Sequence, residues 1–282
     1  RHLHHSSVYD SCKPHDIAEA VARVHRMWTE SDLTEAERRA SGSRYFEDRT
    51  KGKMGSWISF VERQEASELP ETWDAGRRNV VFFTSTEYEY AAIGREFESP
   101  LFDGPTEAVI ETAKALSRRG EVDLTIRVHP NPDSEGSSSV RRILALDLPH
   151  VHVIPPRSTV STYALMKAAD VVVTSGSQTG VEATFWGTPS VGAGRAIYSG
   201  LGVVHEPETR EALYEMVADA NLIALDPEPA LRFGFYMATL GVPYRHFVPE
   251  GLFWGTFKGA EVRPNRWQRK VLRYLRKRAG TS

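Results

Sequence analysis

Four stretches of this chain hold residues whose types and spacing suit a phosphate ester. In Asp170-Val-Val-Val-Thr-Ser-Gly-Ser-Gln-Thr-Gly-Val-Glu-Ala-Thr-Phe-Trp-Gly-Thr-Pro189 a β-branched run ends in a small-residue turn that opens a helical segment. Ser175, Gly176, Ser177, Thr179 and Gly180 there offer hydroxyls and backbone N–H groups to a phosphate, and Glu182, one turn further on, is placed to reach a ribose hydroxyl. The same residues also serve as a helix cap, and Glu182 as a first-turn acid favoured by the helix dipole. Arg127 and His129, two apart on a strand, share a face and form a cationic contact, with His129 able to titrate near neutral pH and assist a leaving phosphate. The alternative for His129-Pro130 is a strand-end turn, since proline stops a ladder. Glu87 is either a carboxylate at the cleft or a loop acid, and Tyr88 and Tyr90 either stack on a ligand or pack. Arg157 and Ser158 add a further cation and hydroxyl.

These residues follow a regular grammar. Short β-branched runs at Val80–Thr84, Leu124–Val128, Val151–Ile154, Val171–Thr174 and Ser190–Val191 alternate with helical patterns. The helices are expected at Pro105–Arg119, near Ser138–Leu146, at Ser161–Ala168, Gly180–Trp186 and Glu208–Ala218. The alternation predicts an α/β fold: a Rossmann-like parallel sheet with helices on both faces and the ligand at the carboxyl ends of the strands. Residues 1–75 read as a helical linker, with apolar spacing over Asp16–Trp28, helix formers over Leu33–Arg39, and a break across Arg44–Gly52. Residues 76–225 form the Rossmann-like unit, and 226–282 read as C-terminal helices, Ala230–Leu240 and Arg266–Arg278.

The 282 residues and ordinary composition describe a globular chain, and the net charge of −2 argues against nucleic acid as partner. A single cysteine, Cys12, excludes an internal disulfide and points to a reducing, cytoplasmic compartment. No apolar run nears the roughly 20 residues needed to span a bilayer. The opening Arg-His-Leu-His-His has no apolar signal core and no initiator Met, so the chain reads as an excerpt. Cations at 263, 266, 269, 270, 273 and 276–278 surround Trp267, Val271 and Leu275 at helical spacing. That pattern suits either an anionic membrane surface at 263–278, hence a peripheral location at the inner face, or a solvated helix packed on the domain. His150 and His152 form no metal set with their neighbours, and no Walker lysine or G-x-G-x-x-G follows the first strand.

The stretch Ser161–Val191, together with Arg127-Val-His-Pro130, resembles the donor half of GT-B glycosyltransferases, in particular the bacterial capsular and surface polysaccharide group that includes Kdo transferases. The likeness covers residues 79–215, and its Gly…Glu-Ala…Gly-x-Pro pattern recurs across many GT-B enzymes. It implies a CMP-, UDP- or GDP-linked sugar as donor, a glycan or glycolipid as acceptor, and neither cofactor nor metal, in keeping with the lack of an Asp-x-Asp motif. By resemblance, Ser175, Gly176, Ser177, Thr179 and Gly180 hold the donor phosphate with Arg127, while Glu182 binds the ribose. His129 meets the leaving phosphate, Glu87 is a second catalytic candidate, and Arg157 and Ser158 are donor contacts. The family has two Rossmann domains and only one pattern is visible, so the acceptor half is expected elsewhere. A nucleotide-sugar 2-epimerase of the same fold and a non-catalytic nucleotide-sugar-binding module are the alternatives. A CDP-glycerol polymerase fits less well, for want of an acid-rich Asp-Tyr-Ser segment.

Overall fold

The computed structural model describes residues 5–6, 16–52, 64, 68–85, 97–131, 135–251 and 254–263. Its centre is a five-stranded, all-parallel sheet in the order β4-β3-β2-β5-β6. The strands are β2 Arg78–Phe83, β3 Val122–Arg127, β4 Val151–Ile154, β5 Val171–Thr174 and β6 Ser190–Gly192. Val80–Phe83 and Val171–Val173 are apolar without alternation because a parallel sheet buries both faces.

Successive side chains point to opposite faces, so Val80, Phe82 and Val173 pack with α3 (Pro105–Arg119), α4 (Ser138–Leu144) and α7 (Arg210–Ala218). Val81, Phe83 and Val172 pack with α5 (Thr162–Ala168) and α6 (Thr179–Phe185) on the other side. The boundary signals act as expected at α3: Pro105 stands in its first turn, and Gly120 caps it in the left-handed region at φ 67°. The α/β, Rossmann-like reading is therefore the architecture.

Two expectations need correction. First, α1 (Ile17–Thr29) is followed by α2 (Glu35–Thr50), which runs straight through the segment expected to break at Arg44. A capping box between Thr34 and Glu37 starts α2, and tertiary packing carries it onward. Phe46 is buried and stacks on Phe185 of α6 with centroids 4.2 Å apart. Gly42 meets α8 (Glu228–Thr239) so closely that an added Cβ would lie 2.4 Å from the Leu231 carbonyl oxygen; facing it, a Cβ on Gly234 would lie 2.6 Å from the Gly42 carbonyl oxygen. The low-propensity Gly42 is thus what lets α2 dock.

Second, residues 247–262 are not part of a helical tail. They form an antiparallel meander of β8 (Phe247–Gly251), β9 (Trp254–Phe257) and β10 (Ala260–Val262). Lys258 and Gly259, at φ 49° and 81°, link the paired Phe257 and Ala260. Two positive-φ residues make a mirror-image hairpin turn, and Lys in place of the usual Asn or Asp hid it. A two-residue pair, β1 (His5–Ser6) with β7 (Val242–Pro243), completes the strands among the described residues. The expected helix Arg266–Arg278 lies outside the described residues.

Candidate functional site

The strand order reverses between β2 and β5. From β2 the chain crosses outward through β3 and β4, then returns to place β5 and β6 on the other side. The connections leaving β2 and β5 therefore diverge and open a crevice at the carboxyl ends, where ligands bind in such sheets. Thr84 and Ser85 form one wall and Ser175–Ser177 the other, tied by a hydrogen bond from Ser85 Oγ to the Ser175 carbonyl at 3.3 Å. His129 joins the first wall by donating its backbone N–H to Thr84 Oγ1 at 2.9 Å. Its Nδ1 accepts from the Asn131 N–H at 3.3 Å, which puts the proton of the neutral ring on Nε2.

The Ser175–Ser177 turn closes largely on itself. Ser177 N–H donates to Thr174 Oγ1 at 2.9 Å, Thr179 N–H to Ser177 Oγ at 3.3 Å, and Gly180 N–H to the Ser177 carbonyl at 3.2 Å. Gly176 sits at φ 99°, where glycine is favoured. Ser175 Oγ and Thr179 Oγ1 are buried with no hydrogen-bond partner, and Ser175 is only 4% exposed. Gly180 answers a packing demand: an added Cβ would lie 2.5 Å from Tyr198 Oη and 2.7 Å from Thr174 Cγ2. Tyr198 in turn donates its hydroxyl to the Ser177 carbonyl.

The loop after β6 wraps the same turn. Gly194 comes within 3.5 Å of Ser175 at its Cβ position, and the exposed Arg195 stands between Gly194 and Tyr198. Arg195 follows β6, the short strand Ser190–Gly192, whose three residues give little sequence signal for a rim position.

Glu182 sits on α6, 2% exposed, and both its oxygens are occupied. Oε1 accepts from Nε of Arg49 at 2.7 Å and pairs with Nη2 at 2.7 Å, while Oε2 accepts from the Tyr163 hydroxyl at 2.6 Å. Tyr45, one turn before Arg49 on α2, donates its hydroxyl to Gln178 Oε1 at 3.0 Å. Burial pulls the Arg49 guanidinium down, but the carboxylate beside it more than offsets this and holds it above the usual arginine value. Burial, reinforced by the Glu182 charge, pushes the Tyr163 hydroxyl well above the usual range, and burial pushes Tyr45 up to about 12. Both phenols stay protonated. Nothing in the sequence joins Arg49 to Glu182, which lies 133 residues away.

Arg127 does not face the crevice. It is 1% exposed and donates to the carbonyls of Pro155 at 2.6 Å and Ser158 at 3.2 Å, so it clamps the loop after β4. Burial pushes its guanidinium down to about 10, still charged at neutral pH. Arg157, in that loop, reaches outward to Glu135 at 2.6 Å, and Ser158 Oγ accepts from the Val160 N–H. Arg127 and His129 share a strand end but not a task. His150, with Asp123 and Arg77, lies at the amino end of the sheet, opposite the crevice. Glu87, Tyr88 and Tyr90 fall outside the described residues, as does the basic segment beyond Arg263. Among the described residues no three His, Cys, Asp or Glu cluster as a metal set, and no helix is long and apolar enough to cross a membrane.

No protein-family model matches the chain, and no curated protein sequence matches it. Among solved structures it is similar to a beta Kdo 2,4 transferase, KpsC, of Thermosulfurimonas dismutans (15% identity, TM-score 0.48, covering 89% of this chain and 67% of that one). It is also similar to the glycosyltransferase SnogD of Streptomyces nogalater (19%, TM-score 0.34, covering 62% and 44%). A UDP-GlcNAc 2-epimerase of Neisseria meningitidis shows 14% identity and a TM-score of 0.30, with 73% and 46% covered. The chain thus spans about two thirds of the first structure and under half of the other two.

Proposed function

We propose that this chain is the nucleotide-sugar-binding portion of a GT-B glycosyltransferase that builds a capsular or surface glycan. The observation that carries this reading is the crevice between β2 and β5, where the turn holding the unpartnered Ser175 hydroxyl stands across from Ser85 and His129. A ligand rich in phosphate and sugar oxygens satisfies such groups, whereas an apolar ligand leaves them unpaired at a cost. The donor phosphate sits between the walls, and the sugar points toward the acceptor.

In the transfer step the acceptor hydroxyl oxygen attacks the anomeric carbon, and the bond from that carbon to the phosphate oxygen breaks. The electron pair leaves with the nucleotide, and the proton of the acceptor hydroxyl passes to a general base, for which the sequence offers the Glu87 carboxylate. His129, whose Nε2 is the protonated nitrogen of the neutral ring, donates a hydrogen bond to that oxygen as charge develops, and in its protonated form it donates a proton. A capsular acceptor held at a membrane brings in the 263–278 segment as an anionic-surface contact, checked by sedimentation with anionic vesicles.

The test is calorimetric titration with CMP, UDP and GDP. Micromolar to millimolar binding of one nucleotide over the others is expected, and no binding of any of them overturns the proposal. Turnover of UDP-GlcNAc in the absence of acceptor would instead assign an epimerase.

A further inference from the structure

The groups first expected to meet a phosphate charge are largely spent. Three N–H groups of the Ser175–Gly180 segment are already bonded, two within it and that of Ser177 to Thr174 Oγ1, and Arg127 is enclosed against two carbonyls. Two other cations stand near the turn. Arg195 has an interaction of its own. Arg49 comes from α2, more than a hundred residues earlier in the chain.

Gln178 and Glu182 are four apart and Thr179 and Glu182 three apart, so all three share one side of α6. Tyr45 binds the first and Arg49 the last, and the Thr179 hydroxyl at the start of the same helix is buried and unpartnered. Arg49 uses Nε and Nη2 on a single carboxylate oxygen and lies 5.6 Å from the centre of the Tyr45 ring, so Glu182 takes up only part of its five-donor fork. Its side chain is 35% exposed, whereas that of Glu182 is 2% exposed. Glu182 is also gripped from behind by Tyr163. A carboxylate held at both oxygens is arranged to orient an arginine rather than to await a ribose. A planar guanidinium, oriented in this way and open on one edge, matches a phosphate in bidentate fashion.

We propose that Arg49 contacts a phosphate of the bound ligand, with Glu182 as its positioning carboxylate, so that the N-terminal helices complete the site. This rests on the nucleotide-binding reading above. The experiment compares wild type, R49M and R49K, in the full chain, for binding of UDP, CMP and GDP and of the corresponding nucleosides, with melting temperature recorded for each.

For R49M, nucleotide affinity is expected to fall roughly 10- to 100-fold, the worth of a charge-assisted contact, while nucleoside affinity holds. R49K, which keeps the charge but not the fork, is expected to recover part of the loss. Wild-type nucleotide affinity in R49M, or an equal loss for nucleotide and nucleoside, overturns the assignment. Should R49M fail to fold, R49K carries the test, and wild-type affinity there overturns it. If the wild-type chain binds no nucleotide, the functional reading itself fails and this inference falls with it, a result distinct from the others.

Discussion

Replacing Glu182 by alanine tests whether the carboxylate is the buried keystone the geometry describes. The substitution removes the acceptor for Arg49 Nε and Nη2 and for the Tyr163 hydroxyl. Arg49 is 35% exposed and can turn partly to water, so its share is about 1–2 kcal/mol, below the cost of breaking a fully buried pair. The Tyr163 hydroxyl is left unpaired in a buried setting, which costs about 1–3 kcal/mol. The sum is about 2–5 kcal/mol, or a melting temperature lower by roughly 4–20 °C for a chain of this size. Urea unfolding followed by tryptophan fluorescence measures it. A cycle with Arg49→Met separates the pair from the rest: the double variant should be less destabilised than the sum of the singles. A loss under about 0.5 kcal/mol for Glu182→Ala, within the usual range of surface substitutions, or strict additivity in the cycle, would refute the buried pair.

Three further outcomes are expected. Burial raises the Tyr163 and Tyr45 hydroxyls above the unfolded value of about 10. Above that pH the unfolded chain releases protons that the folded chain keeps, so stability is intact below about pH 10 and falls as pH rises. Urea midpoints between about pH 9 and 11.5 should drop less steeply in Tyr163→Phe than in wild type, and an identical slope would refute the assignment. Gly180→Ala forces a methyl group onto Tyr198 Oη and Thr174 Cγ2, and a thermal melt should show about 1–3 kcal/mol of destabilisation. Arg127→Met should cost about 1–3 kcal/mol through the freed Pro155 and Ser158 carbonyls, whereas Arg157→Ala, an exposed partner of Glu135, should stay within about 0.5 kcal/mol by the same melt.

Much of the fold was legible because it rests on local periodicity. The run Val171–Thr174 with its flanking turn, and Pro105–Arg119 with proline and glycine at its ends, carry their own boundaries. The meander at 247–262 did not show, because strands of three to five residues interrupted by Pro249, Gly251 and Gly255 lack enough alternation to register. The end of α2 was misplaced for the opposite reason: its local signal is weak, and contacts made far away through Gly42 and Phe46 sustain it.

The same division runs through the site. The sequence alone placed Ser175, Ser177, Thr179 and His129 at strand ends, since a parallel sheet puts whatever follows each strand on one rim. Which of those residues face a ligand was a tertiary matter. A guanidinium two residues from a histidine on one strand turned to backbone carbonyls it could reach only after folding. The partner of Glu182 came from a helix 133 residues upstream. Spacing sets direction along an element, but the fate of a charge depends on which groups the folded chain brings within hydrogen-bonding distance, and no local pattern encodes that.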